Sequence, residues 1–256
     1  SLEAQIWSPL LAENEMANES REAVLAKLAL NASYRARFAE TFDEGLTEGT
    51  LGRALAAYQR ALLSGDSPFD RWHFGGEGST GLGSGSEGYP ALAAQGFAVF
   101  QDAGCASCHH INESSALFTD GQYHNTGTGY RRAGRALRPP SVQLAPGVFV
   151  VPTVDAETET FTDDGRYEVT GREADKWRYR TPSLRNVALT SPYMHDGSIA
   201  TLEGVVAFYA EGGGGDPAQD PRTRSVQLTE SDQAALVAFL RTLTSSHVDA
   251  LVSDAR

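Results

Sequence analysis

The stretch Cys105-Ala106-Ser107-Cys108-His109 constrains this chain more than any other. It has the Cys-x-x-Cys-His pattern that attaches a c-type haem. Two thiols two residues apart can add across the two vinyl groups of one porphyrin, and the His that follows then supplies the proximal imidazole to the iron. A chain built this way folds around a porphyrin, which replaces part of an apolar core. Other uses of a Cys pair are poorly supplied. A structural zinc site needs two more thiol or imidazole ligands at suitable spacing, and Cys105 and Cys108 are the only cysteines. A thioredoxin-like pair calls for a βαβ setting, whereas residues 91–102 have a helical pattern.

The 256 residues suit one large domain or two small ones, and an apolar content of 41% is enough for a core. A net charge of −12 argues against nucleic acid, whose phosphates attract basic surfaces. It permits a basic electron-transfer partner steered by charge. No run of eighteen apolar residues occurs, so no membrane-spanning helix is predicted. No secretory leader is visible at Ser1, and the chain has the look of a mature or trimmed product. Covalent haem is attached on the outer side of the bacterial inner membrane, so the motif implies a periplasmic location.

The predicted fold class is mainly α: a cytochrome c-like haem domain with long loops and one short β-hairpin. Residues 1–74 form a helical arm, 75–90 a flexible Gly/Ser-rich loop, and 91–256 the c-type haem domain. In the arm, Val24, Leu25 and Leu28 share one helical face, and Leu51, Ala54, Leu55, Tyr58 and Leu62 share another. The hairpin is expected from Thr158–Thr162 and Arg166–Thr170 around Asp164-Gly165. A helix near 201–210 is stopped by Gly212 to Gly215. The last helix starts at Thr229 with Asp232 as its capping partner and turns Leu236, Phe239, Leu240 and Leu243 inward.

The second axial ligand decides whether the iron relays electrons or meets peroxide. His124, Met194, His195, Tyr209 and His247 are candidates, and a vacant position is the remaining alternative. Residue chemistry alone leaves them open. A Tyr at the spacing of Leu202, Val205, Val206 and Tyr209 is more often core than ligand.

Several blocks together resemble the bacterial di-haem cytochrome c peroxidase and MauG family: Ser1 to Gln5 with Pro9-Leu10 and Glu15-Met16; the haem motif; Phe118-Thr119-Asp120-Gly121 with His124-Asn125; Thr181 to Val187; Pro192 to Ser198; Thr201-Leu202-Glu203; Phe208-Tyr209; and Leu236 to Leu240. They occur in the family's order over nearly the whole chain. The resemblance is to the C-terminal haem domain of a two-haem protein. It implies one haem c on this chain, on Cys105, Cys108 and His109, and a second in an N-terminal haem domain or a second chain. Tyr209 falls where peroxidases of the family place a distal Met and MauG-type members a Tyr, so the resemblance makes Tyr209 the leading second axial ligand. Thr190 and Pro192 match positions whose backbone carbonyls help hold calcium between the domains. Glu15 matches the acid/base carboxylate over the other, peroxide-binding haem, and Pro9 lies in the same pocket. Arg185 and His195 are candidate partners of the haem propionates, with a loop-locking role as the alternative.

The function implied is that of a peroxidase-type haem oxidoreductase, this chain carrying the six-coordinate electron-relay haem. In the MauG-like form, hydrogen peroxide drives oxidation of a protein substrate. The alternatives are reduction of hydrogen peroxide with electrons from a small cytochrome or copper protein, and a non-enzymatic mono-haem carrier.

Overall fold

The computed structural model describes residues 1–13, 15–75, 88–133, 142–145, 148–150, 163–249 and 253. The described chain is mainly helical, with two small antiparallel sheets. Its contacts divide it into Ser1–Leu63 and Ser64–Arg256. The arm expected over residues 1–74 therefore ends before α6 (Pro68–His73), because Phe69 of that helix is fully buried in the core of the second unit. Most of the expected 75–90 loop lies outside the described residues.

In the first unit, α1 (Leu2–Gln5) and α2 (Trp7–Leu11) precede α3 (Arg21–Ala29), α4 (Ala32–Thr41) and α5 (Glu48–Ala61). Polar caps set the starts. Ser20 and Asn31 accept from backbone N–H groups of α3 and α4, and Thr47 and Thr50 cap α5 reciprocally. Ile6, Trp7, Val24 and Leu51 form the core, flanked by Leu25, Leu28 and Leu55. Tyr58 and Leu62 depart from the expected inward face, being 55% and 42% exposed. The buried face of α5 runs through Thr50, Leu51, Gly52 and Ala56 instead. Gly52 is the reason: a Cβ there would lie 3.3 Å from the Glu3 carbonyl oxygen, so the glycine lets α5 close on α1.

In the second unit, α7 (Ala91–Asp102) crosses α11 (Glu230–Arg241). The start of α11 is the expected capping box, with Thr229 and Asp232 each accepting from the other's backbone. Phe69, Phe97, Phe100, Phe118 and Phe239 fill the core with Leu236, Leu240 and Leu243. Their rings meet at tilted angles, Phe100 and Phe239 at 5.0 Å and Phe69 and Phe118 at 5.3 Å. Helix α10 (Leu202–Ala210) adds Leu202 and Val206 and packs on α11.

Strand β1 (Tyr123–His124) pairs antiparallel with β4 (Tyr179–Arg180), Tyr123 opposite Arg180 and His124 opposite Tyr179. Strands β2 (Val142–Ala145) and β3 (Val148–Val150) form a hairpin. Helix α8 (Thr128–Ala133) lies between β1 and β2. The hairpin expected near Asp164-Gly165 is not found on its second limb, where Tyr167–Thr170 is a short helix, α9. Gly165 does turn the chain, at φ +66°. Glu168 then reaches back to accept from the Asp164 N–H at 2.9 Å, and the Thr170 and Gly171 N–H groups donate to the Arg166 and Tyr167 carbonyls, closing a helical turn where a strand was expected. The first limb, Thr158–Thr162, lies outside the described residues.

Candidate haem-attachment site

Helix α7 delivers the chain to Gly104, whose φ of +82° reverses it in a conformation that suits glycine. Cys105–Ser107 is a single tight turn. The N–H groups of Cys108 and His109 both donate to the Cys105 carbonyl, at 3.3 and 3.0 Å. One short turn thus carries both thiols and the imidazole. His109 Nδ1 donates to the Phe118 carbonyl at 2.7 Å. That bond fixes the tautomer and leaves Nε2 with the lone pair that a metal ion could take. Phe118 presents its carbonyl from a buried position at φ +53°.

Burial pushes the His109 imidazole down, towards the neutral form that binds metals, although the Phe118 bond pulls the other way. Burial also raises the Cys105 thiol to about 11 and raises Cys108. Both are free cysteines.

Tyr209 approaches from α10. Gly212 and Gly213, at φ +96° and +85°, turn the chain at the end of that helix. Gly127 and Gly214 then meet face to face: a Cβ on Gly214 would lie 2.0 Å from the Gly127 carbonyl oxygen. The glycine contact draws residues 125–127 to the end of α10, where the Gly214 N–H donates to the Thr126 carbonyl at 3.0 Å. Burial pushes the Tyr209 phenol up to about 12, and the Cys105 and Cys108 sulfurs push the same way.

The other axial candidates are differently placed. His124 stands beside Cys108, but its Nε2 and Nδ1 each lie 2.8 Å from a carboxylate oxygen, of Asp120 and Asp220. His195 Nε2 is held by Asp163, and its ring stacks on Tyr179 at 3.9 Å. His247 is exposed beside Ser246. Met194 lies at φ +70° in a loop closed by the Tyr193–Ile199 bridge.

Arg185 and His195 are both engaged by protein groups. Arg185 grips Asp70 with two bonds of 2.6 and 2.7 Å and donates its Nε–H to the Ala116 carbonyl at 2.8 Å. Its guanidinium lies over the Phe118 ring at 5.3 Å. Arg185 therefore locks α6 to the loop that orients His109. Thr190 and Pro192 flank a cis Ser191–Pro192 peptide, with the Thr190 hydroxyl bonded to the Val187 carbonyl. Glu15 is exposed in the first unit, its N–H donating to the Ala12 carbonyl on the turn after α2.

The Arg185–Asp70 side chains are only 10% and 16% exposed. Burial opposes the charge on Asp70, but the bonds from Arg185 and the Ser67 N–H outweigh it and hold the carboxyl below its usual range. That contribution is complete above the unfolded carboxyl value and is lost as pH falls through the folded one. Arg185→Ala should lose about 3 kcal/mol at neutral pH by stranding Asp70. The gap to wild type should narrow on acidification, because protonation of Asp70 removes the stranded charge. Urea unfolding at neutral and acid pH checks both statements.

The di-haem cytochrome c peroxidase family model matches residues 1–78. Over 95% of its length the chain is 35% identical to the methylamine utilization protein MauG of Methylorubrum extorquens. The chain belongs to the di-haem cytochrome c peroxidase and MauG family. It is also 34% identical, again over 95% of its length, to the cytochrome-c peroxidase IdrP1 of Denitromonas iodatirespirans. It spans 58% and 62% of the lengths of these two curated relatives. The crystal structure of a MauG-like protein associated with microbial copper homeostasis superposes with a TM-score of 0.70, at 28% identity over 96% of this chain and 69% of that one.

Haem c is the cofactor of this di-haem family, and the residues present fit it. Two free thiols could take up the attachment, and an imidazole oriented by a carbonyl and a buried phenol could serve as axial donors. The residues that sequence reasoning missed are those that frame them. Asp220, Arg222 and Thr126 carry no periodic or spacing signal. The loop from Asp216 to Arg224 gave only its Pro and Asp content, the mark of a turn and not of a site.

Proposed function

We infer that this chain carries the electron-relay haem of a peroxidase-type oxidoreductase, attached through Cys105 and Cys108 with His109 and Tyr209 as axial ligands. The observation that supports the reading is the buried Tyr209 phenol, whose charge is coupled to that of Cys105 and Cys108, together with His109, turned by Phe118 to offer Nε2. Bound there, haem c supplies reversible one-electron chemistry. A phenolate oxygen favours the ferric state, whereas a Met sulfur raises the potential. Tyr209 in the distal place therefore favours the MauG-like form, peroxide-dependent oxidation of a protein substrate. Reduction of hydrogen peroxide with electrons from a small cytochrome or copper protein is the second reading, supported by the resemblance to IdrP1.

With both axial positions filled, peroxide has to be met elsewhere. The family relationship points to a second haem c in an N-terminal domain or second chain, where Glu15 would move protons. Thr190 and Pro192 would offer backbone oxygens to calcium shared with that domain. A periplasmic location follows from haem attachment. No described helix is long and apolar enough to cross a membrane.

The test is peroxide turnover by this chain with its haem attached. Turnover should be slow, at the level of a haem with no vacant position, and Tyr209→Phe should speed it. Rapid turnover by the unaltered chain would overturn the relay assignment.

A further inference from the structure

His124 is gripped at both ring nitrogens. Nε2 lies 2.8 Å from Asp120 Oδ2. Nδ1 lies 2.8 Å from Asp220 Oδ2 and 2.8 Å from Arg222 Nη2. Arg222 also donates to Asp220 Oδ1 and Oδ2, at 3.0 and 2.8 Å, and reaches the Ser107 carbonyl of the haem-attachment turn at 3.4 Å. The donor atoms of Cys108, Asp120 and His124 lie within 4.8 Å of one another. The network therefore abuts the sulfur to which the porphyrin attaches. The groups facing His124 are Asp120 from the loop after Phe118, Asp220 and Arg222 from the loop after α10, and Cys108. The charges of His124 and Asp120 also act on His109.

Two proton inventories satisfy this geometry. With one ring proton, on Nε2, His124 donates to Asp120 and accepts at Nδ1 from Arg222. With two, Nδ1 donates to Asp220, and Arg222 keeps its bonds to the same carboxylate. The imidazole can thus gain a charge without moving. Imidazole is also the side chain that changes charge near neutral pH. The ring neighbours Cys108 and its charge acts on His109, so a change of charge on an iron held by His109 would be felt by the ring, and the reverse.

We propose that His124 takes up a proton when the haem held by Cys105 and Cys108 gains an electron. One electron from a redox partner protein turns ferric iron ferrous. One proton from solvent binds His124 Nδ1 and turns its bond towards Asp220. No other group changes charge. Arg222 is 43% exposed and the His124 side chain itself 11%, so solvent reaches the edge of the network. Asp120 and Asp220 remain carboxylates throughout: Asp120 is held at about 2, where burial is outweighed by the Gln122 N–H, His124 and Thr181, and the Arg222 bond holds Asp220 lower still. The pair keeps the site ready for the positive ring.

The proposal rests on haem attachment at Cys105 and Cys108. The test is the midpoint potential of the haem-loaded protein, poised through mediators from about pH 5 to 8, for wild type and His124→Gln. The wild-type potential should fall as pH rises. The limit is a tenfold change in the reduction equilibrium per pH unit, ~59 mV for one electron. In His124→Gln the dependence should flatten. A wild-type potential independent of pH, or a slope retained in the variant, overturns the proposal. If the variant does not load haem, redox-difference infrared spectra of wild type carrying ring-labelled histidine decide: imidazolium bands should appear on reduction, and their absence overturns it. Protein that releases its haem on denaturation overturns the attachment reading instead, so the two failures are distinct.

Discussion

Gly96→Ala should cost the second unit at least about 3 kcal/mol, the upper end of what overpacking a core normally costs. In an exposed helix interior the same change gains up to about 1 kcal/mol, because alanine is the better helix former. Here the steric cost outweighs that gain. A Cβ on Gly96 would lie 1.8 Å from the Ala235 carbonyl oxygen, 2.4 Å from its carbon and 2.9 Å from the Phe239 Cβ. Two of these three atoms are backbone and cannot swing away, so α7 and α11 must separate. Separation would open the contacts of Phe97 and Phe100 with Phe239. It would also displace the turn that carries Cys105. Urea unfolding of the haem-loaded protein should show the midpoint fall and haem loading drop. A midpoint equal to or above wild type would show that the helices do not cross at Gly96.

Replacing both Cys105 and Cys108 with Ala should abolish covalent haem altogether. Two thioether bonds are then impossible, and His109 alone gives only a dissociable iron contact. The fold should be weakened too, since Cys105 packs against the core cluster. Intact mass under denaturing conditions is the readout. Wild type should be heavier than its sequence by one haem for the Cys105–His109 motif, and the double variant should lose that increment. Retention of the increment by the double variant would mean attachment elsewhere.

The features legible in the sequence were local ones. Helix α7 spans the residues that its apolar pattern marked, Ala91 to Asp102, and α11 starts at the Thr229–Asp232 box. Caps and periodic faces act within a few residues, so they are legible from a single sequence. The rest depends on partners distant in the chain. Arg185 meets Asp70 across 115 positions, and His124 meets Asp220 across 96. Nothing near Arg185 announces Asp70. The close approaches at Gly96, Gly52 and Gly214 are equally silent, because a glycine chosen for helix contact looks like one chosen for a turn. The hairpin near Asp164-Gly165 fails on its second limb: Gly165 does turn the chain, but residues 167–170 close a short helix. For Tyr209, helical spacing alone favours a core role, and the family resemblance pointed to the iron. The Gly127–Gly214 contact joins residues 125–127 to the turn that follows its helix, a link that spacing does not announce.

The axial pair is tested most directly by the ferric spectrum of the haem-loaded protein and of Tyr209→Phe. Wild type should show a six-coordinate ferric haem with a phenolate-to-iron charge-transfer signature and no far-red Met–iron band, and should resist mild reductants. Tyr209→Phe should lose the phenolate signature and open the distal position. A Tyr209→Phe spectrum identical to wild type, or a Met–iron band in wild type, would contradict His109/Tyr209 ligation.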